Sequence, residues 1–558
     1  MVGFPARRLA LVILAAFVIE LYLYSSALNA PFVFDDFGLP YEGGMSRTLS
    51  TWLAGVRPLL MFTYWLNDRT SGQSPLGYHL VNLIIHAIST GLVFLVLSRL
   101  LALTGRLSAR TVSVASMIGA AVFLIHPLQT ESVSYIAGRS ESLAGMLVLL
   151  AYVVFLYRRR EAISWVEAVV VVALFGLGVS TKENAVSLAG VLILTDVFWP
   201  RPFSLSGLRA NWRLYAAMVP GVFVAIWKVF QILSAAPTAG LTLHNVTWYQ
   251  YGFTEARAIF TYLRLAVLPF GQSIDHDYPV SHTILEHGAI FYLAALVTLI
   301  AVCIRWRNRY PLTCFGLLLT LILLVPTSSI VPISDPLAER RMYLPLVGLI
   351  LIGCEMASHI RISRNTGYAA CGAMLMLFGA LCYQRNQLWA QPSRLWAEAA
   401  LESTGKSRPY ANLVDQLVQE RRCSVAVPYL QHAEALLPHD YDIEVGWGRI
   451  LECMGRRDEA LEKLLRGAQI RPNSDVYRLI GLLYGEMGRQ TEAGAALHKA
   501  VDLDQRSALA HDALAAWYEW THDAAAAERE YRASLVFAPS DRVASTGLNR
   551  LGKLPPSN

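Results

Sequence analysis

The segment Phe32-Val33-Phe34-Asp35-Asp36-Phe37 sets two adjacent carboxylates directly after the first long apolar run of the chain. A run of about twenty apolar residues can cross the hydrocarbon of a bilayer, so Asp35 and Asp36 are expected where lipid ends and water begins. A carboxylate partly desolvated at that boundary suits a general base acting on an alcohol, although a bare Asp-Asp pair is more often a helix cap or an interfacial pair. The same loop carries Arg57-Pro58-Leu59. The next loop on that side carries His126-Pro127-Leu128-Gln129-Thr130-Glu131, then Arg139 and Glu141. His126 and Glu131 stand five apart and no further ligand at a firm spacing completes a set, so hydrogen bonding or packing at a helix end is expected of them and no metal.

Three more stretches could carry chemistry. Thr181-Lys182-Glu183-Asn184 breaks two apolar segments with a charge pair, which is costly in a membrane and therefore rarely idle, unless it is simply a tight outward turn. Asp275-His276-Asp277 is a small acidic cluster, either a solvated loop or a substrate contact. Ala338-Glu339-Arg340-Arg341-Met342-Tyr343-Leu344-Pro345 holds two arginines whose planar donors match phosphate oxygens, the alternative being an anchor to lipid headgroups. Together these give Asp35 and Asp36 as catalytic candidates. Arg340, Arg341, Arg139 and Lys182 are candidates for a phosphate-bearing donor, with Arg57, His126, Glu131, Glu183, Asp275, Glu339 and Tyr343 around the substrate.

Membrane segments are what must position them. The chain has 558 residues, 54% hydrophobic and only 16% charged, too apolar for a soluble protein of this length. Eleven apolar stretches are long enough to span, near 9–28, 79–102, 112–126, 142–157, 162–180, 184–199, 213–234, 287–305, 311–326, 343–358 and 366–384. Arginines fall in every second connection, which marks that side as cytoplasmic and explains the net charge of +6 without nucleic acid. A twelfth apolar segment, 255–270, would invert that pattern and is expected to be a re-entrant or interfacial helix. Arg7-Arg8 and the run to about Ala27 fit a membrane anchor better than a cleaved signal.

Asp35 and Asp36, residues 126–139, Lys182-Glu183, Asp275–Asp277 and residues 335–341 then share the extracytoplasmic face with the C-terminal tail. Five of the seven cysteines lie in or beside apolar segments, as packing or lipid-facing residues, and no CxxC occurs. Cys423 and Cys453 both fall in the tail, and no disulfide between them is expected.

From about Ser407 the pattern changes to a period of 33–34 residues, with Pro438, Pro472 and Pro539 ending units. Gly448, Gly481 and Ala515 recur where paired helices touch, as do Ala426, Ala460, Ala493 and Ala527, while Gly455 and Gly488 mark turns. About four tetratricopeptide repeats are implied, offering a concave face to polypeptide or serving only to stabilise. The expected architecture is all-α: a multispanning membrane domain over 1–390, a connecting helix or linker over 391–406, repeats over 407–541, and a C-terminal tail over 542–558.

A base, a phosphate clamp and a helical tail on one face suit glycosyl transfer from a polyprenyl-phosphate sugar to a protein. The chain resembles the transmembrane and tetratricopeptide-repeat O-mannosyltransferases of the GT-C glycosyltransferase superfamily. The matching residues run in order: Phe34-Asp35-Asp36, Arg57-Pro58-Leu59, Gly77-Tyr78-His79-Leu80-Val81-Asn82 with His86, His126-Pro127 with Thr130-Glu131, Gly138-Arg139, Lys182-Glu183, Ala338-Glu339-Arg340 with Tyr343-Leu344-Pro345, and Arg385-Asn386 with Trp389.

That resemblance implies an inverting transferase that uses dolichyl- or undecaprenyl-phosphate mannose without a metal or other cofactor. It favours Asp35 over Asp36 as the base and Arg340 over Arg341 as the phosphate ligand. Few repeats and short loops point to a bacterial member in the inner membrane, so the cadherin-type acceptors of eukaryotic members do not carry over. A GT-C transferase acting on a glycan or lipid, and a non-catalytic membrane scaffold with repeats, are the alternatives.

Overall fold

The computed structural model describes residues 6–38, 49–53, 55–72, 74–158, 162–199, 204–235, 246–329, 331–538 and 541–552. Its regular elements are helices. The chain divides into two compact units, the first comprising residues 1–31, 53–274 and 278–390, the second 32–52, 275–277 and 391–558. Residues 32–52 and 275–277, expected within the membrane domain, thus group with the repeats.

The first unit contains α1 (Ala6–Leu23), α2 (Pro58–Ser71), α3 (Pro75–Leu103), α4 (Ala109–Ile125), α5 (Arg139–Leu156), α6 (Trp165–Thr181), α7 (Ser187–Phe198), α8 (Trp212–Ala235), α9 (Trp248–Val267), α10 (Ala289–Arg305), α11 (Pro311–Leu324), α12 (Leu346–His359) and α13 (Arg364–Trp389). Every one of the eleven apolar stretches is occupied by a helix. By length and hydropathy four of the described helices can cross a membrane singly, or six if two bent pairs each count as one span, with four shorter apolar helices besides. Short helices account for part of the difference from eleven: a helix of 14 residues, such as α11, rises only about 21 Å at 1.5 Å per residue.

Starts are written into the sequence. Prolines open α2, α3 and α11 at the first helical turn, where their missing N–H is not needed. Ser164 and Glu167 form a reciprocal capping box on α6. The core centres on α3, whose Val93, Leu95, Val96, Leu97 and Leu100 are fully buried. At the crossing of α11 and α12, Gly316 and Gly348 lie backbone to backbone, and a methyl on either would run into the carbonyl of the other. On α10 and α13 the apolar windows are only 6% and 11% buried, and faces such as Phe291, Val297, Met376 and Leu377 are of the kind that lipid covers. The segment expected at 255–270 begins earlier, as α9, with a capping box from Thr247 and Gln250 and with Glu255 and Arg257 buried.

The second unit contains α14 (Pro392–Glu402), α15 (Arg408–Gln419), α16 (Cys423–Leu436), α17 (Tyr441–Cys453), α18 (Arg457–Ile470), α19 (Ser474–Glu486), α20 (Gln490–Leu503), α21 (Ala508–Trp520), α22 (Ala524–Phe537) and α23 (Arg542–Arg550). From α15 to α22 these form four helix pairs of the tetratricopeptide kind. Gly455 and Gly488 turn the chain with φ of 79° and 76°, which only glycine adopts without strain. At Gly448 and Gly481 a methyl would meet Leu464 and Leu497 at 2.6 and 2.5 Å. The stretch 391–406 is mostly the buried helix α14, and residues 542–550 form a capping helix whose Arg550 pairs with Glu519 at 2.6 Å. Pro539 lies outside the described residues.

One expectation is corrected. Cys423 and Cys453 form a disulfide, with Cα atoms 6.1 Å apart. The first residue of α16 and the last of α17 meet because antiparallel repeat helices bring such ends together. Residues 30 apart in sequence carry no local signature of this.

Candidate functional site

In the first unit, α4 stops at Ile125 because His126 leaves the helix and Pro127 follows. The His126 ring accepts the Leu128 amide at Nδ1 (3.2 Å), and its Nε2 donates to the Ala266 carbonyl (3.0 Å). The turn that results delivers Glu131 into the interior, 3% exposed. There Glu131 accepts the backbone amide of Arg340 at 2.7 Å and its guanidinium at 2.5 Å. Ser132 donates to the Arg340 carbonyl. Burial pushes the Glu131 carboxyl upward, against the pull of the Arg340 cation and with a further push from Glu339.

Glu339, 1% exposed, faces the other way and accepts from Gln272 Nε2 (2.6 Å) and the Ser273 amide (2.8 Å). Tyr343 meets His86 Nδ1 through its hydroxyl at 3.0 Å, and His86 Nε2 donates to the Leu124 carbonyl at 3.2 Å. Three loops, around residues 126–132, 272–273 and 339–343, are therefore one hydrogen-bonded knot. Its guanidinium at Arg340 keeps 23% of its side chain exposed.

A second polar group stands where α6 ends. Arg57 grips Glu183 with two hydrogen bonds, Nε at 3.1 Å and an Nη at 2.7 Å. Lys182 donates to Glu141 at 2.6 Å, and Asn184 donates to the other oxygen of that carboxylate at 2.6 Å. Burial lowers the Lys182 ammonium, Glu141 raises it, and the positive charges of Arg57 and Arg340 lower it further. Burial alone would push Glu183 up, but Arg57 and Lys182 outweigh it and hold the carboxyl below its ordinary range. A narrow cleft with only about 10 Å³ of space, room for about one water, is lined among others by Glu141, Asn184, Ser187, Arg341 and Tyr343.

In the second unit, Phe34 begins a single 3-10 turn over Phe34–Gly38. Asp36 is 1% exposed and its Oδ2 accepts the Val33 amide at 3.0 Å, whereas Asp35 is exposed. Asp275 is 4% exposed and sits between two cations, Arg408 at 2.5 Å and Lys406 at 3.1 Å. Asp277 accepts the backbone amides of Thr404 (2.8 Å) and Gly405 (2.5 Å).

No model of a known protein family matches the chain. Protein O-mannosyl-transferase TMTC3 of Mus musculus is 23% identical over 533 residues, covering 86% of this chain and 56% of the relative. The Caenorhabditis elegans protein O-mannosyl-transferase F38B6.6 is 24% identical over 411 residues, covering 69% and 56%. The curated relatives are TMTC protein O-mannosyl-transferases. This chain spans about half the length of the first of them. Among solved structures, a thermophilic tetratricopeptide-repeat protein of Thermus thermophilus matches at 17% identity over 33% of this chain and 97% of its own, with a TM-score of 0.27. A likeness at that score carries no weight, and the repeats are identified from the helix pairs themselves.

Of the residues expected to act in this TMTC-like chain, the structure brings Glu131, Glu339, Arg340 and Tyr343 into one knot, with His126 as the pivot of its turn. Arg57, Lys182 and Glu183 form the neighbouring group. Two arginines expected at a donor phosphate are engaged by the protein itself. Arg139 is fully buried, donating to Asn82 (2.7 Å), Asn67 (2.7 Å) and the Tyr78 carbonyl (2.9 Å). Arg341 donates to the carbonyls of Pro336 (2.7 Å) and Asp335 (2.6 Å) and faces Glu255 at 3.8 Å. Asp275, expected at the substrate, is an anchor for Lys406 and Arg408. Gln272, Ser273 and Glu255 were not singled out by sequence. Only Glu255, an acid inside an apolar segment, carried a signal that could have exposed it.

Proposed function

We propose that this protein transfers a sugar, mannose by likeness to its relatives, from a polyprenyl-phosphate carrier to Ser or Thr hydroxyls of a protein on the extracytoplasmic side of a membrane. The observation that carries this is the Glu131–Arg340 pair, a partly exposed guanidinium fixed at backbone and side chain beside the ends of apolar helices. The printed names of the relatives support the acceptor class.

In this mechanism Asp35 takes the proton of the acceptor hydroxyl as its oxygen attacks the anomeric carbon. The bond from that carbon to the phosphate oxygen breaks, and its electron pair leaves with the lipid phosphate. A single displacement of this kind inverts the anomeric configuration. Arg340 stabilises the phosphate as charge grows on the departing oxygen, and its fork matches two phosphate oxygens at once. A phosphate leaves without being protonated, so one carboxylate base suffices and Asp36 is left to shape the turn.

Purified protein supplied with radiolabelled polyprenyl-phosphate mannose and a Ser/Thr-rich acceptor peptide tests the proposal. Wild type transfers label and Asp35→Asn loses at least about 100-fold, the lower end of a general-base contribution. Equal transfer by both, or none by wild type, defeats it.

A further inference from the structure

Phe34 has φ of 52°, in the left-handed region that bulky side chains rarely enter. Such a conformation persists only where the surroundings hold it. The Phe34 ring packs edge-on to Trp396 of α14, centroids 5.4 Å apart, and the Arg408 guanidinium at the start of α15 lies over the same ring at 5.3 Å. Trp396 is fully buried. Arg408 is fixed in turn, since its Nε and an Nη donate to the two oxygens of Asp275 at 2.6 and 2.5 Å. The corner between α14 and α15 therefore clasps two separate loops, one through Phe34 and the other through Asp275 and Asp277.

In the turn that follows the left-handed step, Asp36 is buried and accepts the Val33 amide, while Asp35 is exposed. We infer that Phe34, clamped by Trp396 and Arg408, is the positioning residue for Asp35, so that the first helices of the repeat unit set the direction of the carboxylate. The effect on turnover rests on the proposed role of Asp35. The clamp itself does not.

Hydrogen–deuterium exchange on the full-length protein in nanodiscs, following the peptide over residues 32–38, separates the two. The Asp36 amide donates to the Val33 carbonyl at 3.0 Å and reports whether the turn is held. Phe34→Asn tolerates the left-handed backbone but removes the ring, Phe34→Tyr keeps the ring, and Arg408→Gln removes the cation and its pair with Asp275.

The expected result is at least tenfold faster exchange in Phe34→Asn and Arg408→Gln, wild-type exchange in Phe34→Tyr, and unchanged exchange in α19 and α20. Turnover should fall at least tenfold in kcat in the first two with little change in donor KM, and be restored in Phe34→Tyr. Wild-type exchange over 32–38 in both Phe34→Asn and Arg408→Gln overturns the clamp. Faster exchange with wild-type kcat overturns the positioning role. Faster exchange in a protein whose wild type transfers no sugar supports the clamp and defeats the base assigned to Asp35.

Discussion

The carboxylate of Glu131 holds Arg340 at two points, accepting its amide at 2.7 Å and its guanidinium at 2.5 Å. Removing one member of a buried pair leaves the other uncompensated, which typically costs about 3–5 kcal/mol, somewhat less where one side is partly exposed. Glu131→Ala should therefore lower the unfolding midpoint by several degrees. Glu131→Gln, which keeps the shape and one acceptor, should fold and raise the KM for a polyprenyl-phosphate donor. Thermal unfolding together with donor titration checks both, and unchanged values in both variants would remove Glu131 from the site.

Arg340 and Arg139 should separate cleanly by readout. Arg340→Lys keeps a charge but loses the planar fork, and a loss of about 10²-fold or more in turnover with a normal unfolding midpoint is expected. Arg139→Gln breaks four hydrogen bonds from a buried guanidinium to α2 and α3, each worth about 1.5–3 kcal/mol. It should lower stability and yield, while any protein that folds binds donor normally.

The repeat unit should lose stability with rising pH through one carboxyl, Asp512. Burial and the neighbouring Asp541 raise Asp512 to about 7, with Ser534 pulling against them. A carboxyl raised in the folded state prefers its proton there, so its contribution is complete below the unfolded value of about 3.9 and disappears as pH rises through about 7. Pulse proteolysis in urea should give a midpoint lower at pH 8 than at pH 5.5 by about 1–2 kcal/mol of stability. Asp512→Asn should flatten the difference, and a pH-independent midpoint in wild type would refute the assignment.

The Cys423–Cys453 link closes a loop of 30 residues, for which chain entropy alone predicts about 3.6 kcal/mol. Peptide mapping without reductant should recover the linked pair from protein isolated from membranes, and Cys423→Ser should destabilise α16 and α17. Free thiols at both positions in native protein would argue against an oxidising compartment for the repeats, because disulfides persist in such compartments and are rare in the cytosol.

Elements that announce themselves by period were legible from residues alone. The eleven apolar stretches each became a helix, and the repeat turns fell at Gly455 and Gly488, where φ is positive. The number of spans was harder, because twenty apolar residues is a rule for a helix crossing alone, while helices as short as α7 and α11 pack between longer neighbours.

Partners distant in sequence stayed hidden. Asp275, expected at the substrate, holds Arg408 from 133 positions away, and nothing local marks the pair. Arg139 and Arg341 are chemically suited to phosphate, and nothing in the local sequence shows the protein oxygens that already engage them. The Asp pair was conspicuous, but its division into a buried Asp36 and an exposed Asp35 comes directly after one left-handed residue, Phe34, that sequence does not flag.

The contact between Gly316 and Gly348 lies inside the apolar core, and α12 begins just after the turn that carries Arg340 and Tyr343. With no side chain on either glycine there is nothing to repack, so the two helices have a single register and no elastic margin. An added methyl would be relieved by sliding one helix along the other and tilting the turn at its head. Inactivating substitutions should therefore be found deep in the apolar core as well as among the charged groups, arising from lost alignment between helices rather than from lost chemistry.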